Sequence, residues 1–436
     1  MSSSSGHISA RDPAQARLLL LGSVLFVSYL CVAIPLPVVP VYVTGHLGFG
    51  NGWAGLAVGI AFLSTILTRG QAGALSDRRG AKVATMRGLV FYALGGLLGL
   101  LAGPPVLSPG LALAVLMIGR LLVGYGESLV GVGVIAWGIG IVGPDRSGRV
   151  IALIGAAIYG ALAAGGPLGL VILDHIGFAG DMAASLVLPC LGLVAIGSIE
   201  GVAPHPETRR SSFLSVMNRI WTHGTIVFLQ GIGFAGIGSF FALSFLDRGW
   251  AYAGLGLTAF GVGFVLVRLF AGHLPDRIGG LRVAIVSLAI EAAGQFTIWG
   301  APSPAVALVG ALMTGIGCSL IYPSMGREVV KLVEPHLRGT AVGGFGAFQD
   351  LAYGLTGPIV GLLADQAGYG SVFLIGGAAA QRGFPDHPRP ATAKCARWPN
   401  KRAVMRHLAR DRGASLYGKS HLLNHRPAMN NRNERQ

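Results

Sequence analysis

Long apolar runs separated by short polar loops occupy the chain from residue 18 to residue 380. Many of these runs reach 18 residues or more, the length that an α-helix needs to cross the hydrocarbon core of a bilayer. Only 12% of the 436 residues are charged, whereas a soluble domain has roughly 25%. Too few charges remain to cover a water-facing surface, so the sequence predicts an all-α integral membrane protein.

The net charge of +15 is concentrated at the carboxyl end, where residues 381–436 hold 13 Lys and Arg against three acidic residues. Because the excess is local, it does not predict a nucleic-acid partner. The four cysteines lie far apart and form no CxxC pattern, so neither a metal site nor a disulfide framework is expected.

One charged stretch occurs twice, as RGQAGALSDRRGAK at residues 69–82 and as RLFAGHLPDRIGGLR at residues 268–282, with matching residues 199 positions apart. A second set of matches has an offset of 191 and comprises Gly166 with Gly357, Pro167 with Pro358, and Asp174 with Asp365. Constant offsets across charged, small and apolar positions indicate two homologous halves in the same order. Parallel repeats of this kind are typical of secondary transporters.

The spans form two sets of six, separated by a polar stretch that is the best boundary between two halves. The predicted segments are a cytoplasmic amino-terminal tail at 1–17, a six-helix half at 18–203, a cytoplasmic linker at 204–224, a second helical half at 225–380, and a basic tail at 381–436.

The first apolar run, residues 18–43, is too long for a cleaved signal peptide and is predicted to remain as the first span. Pro35, Pro37 and Pro40 fall in its second half and predict a kink or break there. A broken helix is tolerated in a membrane beside protein or a water-filled cavity, which places this span next to a transport pathway.

Lys and Arg are unevenly distributed over the loops, because one set is rich in them while the opposite set has only Arg248. Short loops rich in Lys and Arg stay in the cytoplasm. The amino terminus, both repeated stretches and the linker are therefore predicted to be cytoplasmic, in a multi-pass protein of the bacterial inner membrane.

The last span, SVFLIGGAAA at residues 371–380, covers only about half of a roughly 30 Å hydrocarbon core. The sequence after it is basic and Pro-rich, without periodicity. Because the break falls inside a span, we interpret the tail as frame-shifted or disordered and the last helix as truncated. An inactive truncated carrier then becomes the leading rival to a working transporter. The alternative is a genuine basic appendage on an intact carrier.

The repeated stretch and the two sets of six spans resemble the major facilitator superfamily, through its loop signature G-x-L-x-D-R-x-G-x-K. The matching residues are Gly73, Leu75, Asp77, Arg78, Gly80 and Lys82 in the first half, and Gly272, Asp276, Arg277 and Gly279 in the second. The resemblance covers residues 18–380. It implies a twelve-helix fold of two six-helix halves and the activity of a secondary carrier.

The signature is predicted to act as a cytoplasmic gate. Gly73 and Gly80 permit a close helix approach and a tight turn. Asp77 can accept hydrogen bonds from free N–H groups at a neighbouring helix end, and Arg78 can bridge to a carboxylate or a lipid phosphate. Such a latch would join the halves in one state and release them in the other. The alternative is that the basic residues only set topology.

Three ionisable residues inside spans, Arg120, Glu127 and Asp350, are candidates for a proton or charge relay. GRLLVGYGE, which contains Arg120, resembles the motif of proton-coupled family members, and Glu127 lies seven residues later on the same helix face. Unpaired charge at bilayer depth is costly and usually has a task. The alternative is a static ion pair that fixes helix packing, and packing is also the role expected for Glu291.

The fifth span carries part of the family's antiporter motif, with Gly166 and Pro167 present but Leu170 and Val171 in place of the paired glycines. These two residues and their counterparts Gly357 and Pro358 are predicted to kink or pack helices. Aromatic and amide residues that could line a substrate cavity are Tyr29, Tyr159, Gln230, Phe234, Tyr322, Gln349 and Tyr353.

The expected activity is proton-coupled efflux of a small organic solute, drug-like or sugar-like, by alternating access. A proton symporter or uniporter for sugars or organic acids is the alternative. No signature of a membrane enzyme occurs, and no cofactor is expected beyond the proton gradient. The expected partners are membrane lipid and the solute, with the protein acting as a monomer.

Overall fold

The computed structural model describes residues 13–143, 146–202, 213–334 and 338–384, and this part of the chain is helical throughout, with no strand. In the first half the helices are α1 Pro13–Ala33, α2 Pro35–Val41, α3 Asn51–Arg79, α4 Ala81–Ala102, α5 Pro109–Val142, α6 Ser147–His175 and α7 Phe178–Gly197. In the second half they are α8 Phe213–Asp247, α9 Leu255–Ala271, α10 Leu274–Ile278, α11 Gly280–Trp299, α12 Pro304–Lys331, α13 Arg338–Ala367 and α14 Gly370–Arg382.

The first span is interrupted where the prolines predict it. The helix α1 ends at Ala33, and α2 begins at Pro35, whose missing N–H group is tolerated at the first helical position. A π-helical turn, Tyr42–His46, follows α2. The interruption kinks the span without ending it, since the Ile34 N–H still donates to the Leu30 carbonyl at 2.8 Å.

Nine helical segments within the described residues are long and apolar enough to cross a membrane. The helix α9 is also apolar but has only 17 residues. The last helix, α14, has 13 residues, which correspond to about 20 Å. It is slightly longer than the predicted residues 371–380 and still short of the hydrocarbon thickness.

Glycines bring helices into close contact at equivalent places in the two halves. A methyl group at Gly95 of α4 would lie 2.7 Å from the carbonyl oxygen of Gly119 in α5, and a methyl group at Gly294 of α11 would lie 2.7 Å from that of Gly310 in α12. The two contacts are related by the offsets of 199 and 191 residues found in the sequence. Small residues allow such packing between membrane helices, so the duplication extends to side-chain packing.

The halves meet along α3 against α13 and along α6 against α9. A methyl group at Gly55 would overlap the carbonyl of Gly357 across the first interface. We call the end of α3 at Asn51 the distal end, and the end at Arg79, where α13 begins, the linker end.

Candidate functional site

A small cavity of about 40 Å³ lies where the two halves meet. Its lining comprises Tyr29, Val32, Leu36, Phe62, Ile158, Tyr159, Leu162, Phe234 and Tyr353. Four of these, Tyr29, Tyr159, Phe234 and Tyr353, are predicted cavity residues. A water molecule occupies about 30 Å³ of liquid, so the cavity in this conformation is too small for an organic solute.

Aromatic rings from both halves close the cavity. Tyr353 of α13 meets Phe62 of α3 edge-on, with ring centroids 5.2 Å apart, and lies 4.7 Å from the ring of Phe234 in α8. Tyr159 of α6 stacks on Phe264 of α9 at 3.5 Å. Relative movement of the halves would separate the first and the last of these contacts and enlarge the cavity.

The carboxylate of Glu127 lies beside the cavity wall. The Tyr29 hydroxyl donates to its Oε1 at 2.9 Å, and the Thr65 hydroxyl lies 3.4 Å from its Oε2. The same Thr65 hydroxyl lies 2.9 Å from the Gly124 carbonyl. Three helices of the first half, α1, α3 and α5, thus position this side chain.

Arg120 lies about two helical turns before Glu127 in α5, and it is buried, with 4% of its surface exposed. Its Nε donates to the Ala57 carbonyl at 3.2 Å, and within the described residues its Nη2 has no hydrogen-bond partner. Arg120 and Glu127 do not form an ion pair there, since seven residues separate them by about 10 Å along the helix. The alternative of a static ion pair that fixes helix packing stays open, because the candidate Asp350 does form an ion pair, with Arg69.

Asp350 forms an ion pair with Arg69. The pair joins α13 of the second half to α3 of the first, and both side chains are partly buried, with 16% and 34% of their surfaces exposed. The sequence marks Arg69 as a repeated residue but does not reveal its partner, because 281 residues separate the two. Arg69 lies about 27 Å along α3 from the distal end of that helix.

The distal end is closed by a second contact between α3 and α13. Asp365 accepts hydrogen bonds from the backbone and side-chain nitrogens of Asn51 at 3.0 and 2.8 Å, and the Tyr369 hydroxyl donates to the Asn51 Oδ1 at 3.0 Å. A carboxylate at a helix amino terminus is favourable. No sequence pattern singles out Asn51, whereas Asp365 is one of the acidic residues that the duplication repeats.

At the linker end, the two copies of the signature do not join the halves. Asp77 and Arg78 are exposed, and neither has a partner among the described residues. In the second half, Asp276 lies 3.4 Å from Arg327 of the same half, while Arg277 is exposed.

Gly80 and Gly279 make the predicted tight turns, with φ of 92° and 94°, values that favour glycine. The close helix approach predicted at Gly73 is not present in this conformation, because no atom of another described helix lies within 4 Å of a methyl group placed there. Gly73 and Leu75 are partly buried in α3, and Gly272 follows α9 directly. The signature therefore forms two equivalent helix-to-helix corners.

The remaining candidates take different positions. Gly166 and Pro167 contact Gly254 across the α6 and α9 interface, while Gly357 and Pro358 lie in α13, where Gly357 faces Gly55. Gln349 donates to the Tyr353 hydroxyl at 2.7 Å, behind the cavity wall. Gln230 lies 3.1 Å from the Cys318 sulfur, and Tyr322 packs on Phe345 with ring centroids 4.9 Å apart, so neither belongs to the cavity lining. Glu291 is fully buried.

A duplicated bundle of membrane-crossing helices with a cavity at the junction of its halves defines a multi-pass carrier. A family model described as the Major Facilitator Superfamily matches residues 21–250 and 223–380. The chain belongs to this superfamily, and it is a membrane transporter whose substrate is not defined by that membership.

Similar proteins include an uncharacterised MFS-type transporter of Salmonella typhimurium, 44% identical over 367 residues that cover 83% of this chain and 93% of the relative. One of Pseudomonas aeruginosa is 40% identical over 376 residues, covering 86% and 93%. Among solved structures, a D-xylose–proton symporter has a TM-score of 0.71 at 17% identity, covering 85% of this chain and 98% of its own. A nucleoside transporter has a TM-score of 0.69 at 15% identity, covering 84% and 98%.

Proposed function

We propose that this transporter couples proton movement to the outward movement of a small organic solute, drug-like or sugar-like, across the bacterial inner membrane. The observation that carries the proposal is the placement of two carboxylates at the junction of the halves. Glu127 is held against the cavity wall by Tyr29, and Asp350 forms the ion pair that links the halves. Ionisable residues inside a membrane are usually functional.

Protonation offers a route from these carboxylates to movement. A proton on Asp350 removes the charge that attracts Arg69, and Coulomb attraction is strong away from bulk water. The interface between α3 and α13 would then lose its contact nearest the linker end, while the Asn51–Asp365 contact at the distal end is independent of it. Proton binding would thereby bias the equilibrium between conformations.

Alternating access is supported by the unequal closure of the two ends. The distal end is held by Asn51 and Asp365, whereas Asp77 is exposed at the linker end. The positive-inside rule assigns the linker end to the cytoplasm. We propose that this conformation is open toward the cytoplasm between the ends of α3 and α13, and that the gate formed by Asp77 engages in the opposite conformation.

A symporter or uniporter for sugars or organic acids is the second candidate. It is supported by the fold that this chain shares with a D-xylose–proton symporter. The two candidates differ in the direction of solute movement. We expect inverted membrane vesicles, acidified inside, to accumulate a radiolabelled solute from a panel of a pentose, a nucleoside, benzoate and tetraphenylphosphonium. Accumulation only in right-side-out vesicles acidified outside would contradict efflux and favour symport. Vesicles without the protein serve as the control.

A further inference from the structure

The contacts between the halves obey the sequence duplication. The offsets of 199 and 191 residues turn the contact of Gly59 with Gly354 into a contact of Thr258 with Ala163. The first pair packs so closely that a methyl group would overlap the facing carbonyl, and the Thr258 hydroxyl donates to the Ala163 carbonyl at 3.1 Å. The interface of α3 with α13 and that of α9 with α6 are therefore structurally equivalent.

At a second pair of equivalent positions, the two interfaces differ in charge. The same offsets relate the Arg69–Asp350 ion pair to Arg268 and Tyr159. Arg268 repeats the arginine, but a phenol replaces the carboxylate. The position opposite the second arginine therefore lacks the anion that the first arginine binds.

Arg268 does lie next to Tyr159. Its guanidinium is 5.3 Å from the centre of the Phe264 ring, on which Tyr159 stacks at 3.5 Å. In the described part of the chain no carboxylate pairs with Arg268, which is only partly buried. A cation over an aromatic face is stabilised, but its N–H groups remain available to a ligand.

The other ionisable side chains at the junction do not pair with Arg268 in the described part of the chain. Five ionisable side chains belong to helices that meet at the junction of the halves, namely Arg69, Arg120, Arg268, Glu127 and Asp350. Within the described residues, the one ion pair of this set joins Asp350 to Arg69. Arg120 and Arg268 therefore have no carboxylate partner there, and an unpaired charge inside a bilayer is costly unless it is neutralised.

We infer that Arg268 binds an anionic group of the solute, a carboxylate or an equivalent oxyanion, at the position where Asp350 lies in the other interface. Arg presents a planar fork of N–H donors that matches a carboxylate, and the Tyr159 hydroxyl can donate beside it. Tyr159 also lines the aromatic cavity, so that the apolar remainder of the solute would lie against Phe234 and Tyr353. The solute is thus an aromatic or apolar organic anion, which narrows the substrate class within the proposed transport function.

Equilibrium binding tests the inference without requiring transport or a proton gradient. The purified full chain in nanodiscs would be titrated with benzoate and phenylphosphonate, and with benzamide and benzylamine as neutral and cationic analogues. We expect the two anions to raise the melting temperature, and the analogues to have no such effect. If the wild-type protein responds to no anion more strongly than to benzamide, or prefers benzylamine, the inference is wrong.

Variants assign the binding to Arg268. Arg268→Gln is expected to weaken benzoate binding on the order of tenfold or more, because the partner charge of a desolvated ion pair is lost, and Arg268→Lys is expected to retain part of it. The matched control is Arg282→Gln, which removes an exposed arginine of α11 and should leave binding unchanged. Equal benzoate affinity in Arg268→Gln and the wild type would overturn the assignment.

The variant Tyr159→Asp places a carboxylate opposite Arg268, in the same way that Asp350 lies opposite Arg69. We expect the new carboxylate to neutralise Arg268 and abolish benzoate binding, whereas Tyr159→Asn should keep the preference for benzoate over benzamide. Retained benzoate binding in Tyr159→Asp would contradict the inference. Anion binding without any solute flux would instead refute the transport proposal alone, and flux of neutral solutes without anion binding would refute only the present inference.

Discussion

At the scale of the residue, proton coupling depends on which carboxylates have partners. Arg120, Glu127 and Asp350 stand out in the sequence because a bilayer rarely contains charge. Their partners do not, since Tyr29 and Arg69 reach them from other helices, and in the case of Arg69 from the other half. Charge in an apolar run is a local signal, whereas a partner is a property of the tertiary fold.

Arg69→Gln should destabilise the protein by leaving Asp350 unpaired. Breaking a buried pair costs about 3–5 kcal/mol, and the exposure of both side chains reduces this to roughly 1–3 kcal/mol through solvent screening. Thermal unfolding in detergent, followed by size-exclusion chromatography, measures the loss. The double variant Arg69→Gln with Asp350→Asn should recover part of the melting temperature. A double variant that is less stable than Arg69→Gln alone would show that the pair does not account for the effect.

At the scale of the element, the constant offsets predict equivalent helices and equivalent corners. The turns at Gly80 and Gly279, with nearly equal φ, follow from the repeated glycine, and the kink before Pro35 follows from the prolines. Helix contacts were harder to foresee. The contact of Asn51 with Asp365 needs two helix ends to meet, and although the duplication repeats Asp365, it does not reveal Asn51 as the partner.

The gate is predicted to act in the conformation that is closed at the linker end. Asp77→Asn should strongly reduce transport without preventing insertion, because the latch loses its anion. Asp276→Asn should have a milder effect, since Pro275 and Gly280 depart from the signature and Asp276 already lies near Arg327 of its own half. Vesicle flux at matched protein levels compares the two. Near-normal flux for Asp77→Asn would leave only a topological role for this stretch.

At the scale of the whole molecule, the short last helix decides the topology. With 13 residues, α14 covers about 20 Å, less than a core of roughly 30 Å, and we predict that it does not cross stably. The interpretation of residues 381–436 as a frame-shifted or disordered tail concerns a segment that lies outside the described residues except for its first four. The sequence predicts the truncation because the apolar run stops at residue 380. In the structure the helix ends close to this point, at Arg382.

A reporter fused after Gln436 tests the topology. If α14 does not cross the bilayer, the carboxyl terminus stays on the distal side, and a phosphatase that is active only in the periplasm should give a signal. The predicted linker 204–224 overlaps the start of α8 at Phe213, so a fusion within residues 204–212, predicted to be cytoplasmic, is the matched negative control. A clean cytoplasmic signal at Gln436 together with normal transport would show that the tail is a genuine appendage.

The coupling of proton and solute at Glu127 and Asp350 is the central claim for the molecule. Proteoliposomes of the purified protein with pyranine in the lumen report proton movement when a gradient of each panel solute is imposed. We expect one solute class to change the lumen pH with the wild-type protein, and both Glu127→Gln and Asp350→Asn to abolish this change while solute exchange continues. The matched control Asp174→Asn removes an exposed carboxylate and should behave as the wild type. Solute flux without any change in lumen pH, or unaltered proton movement in both variants, would contradict the account.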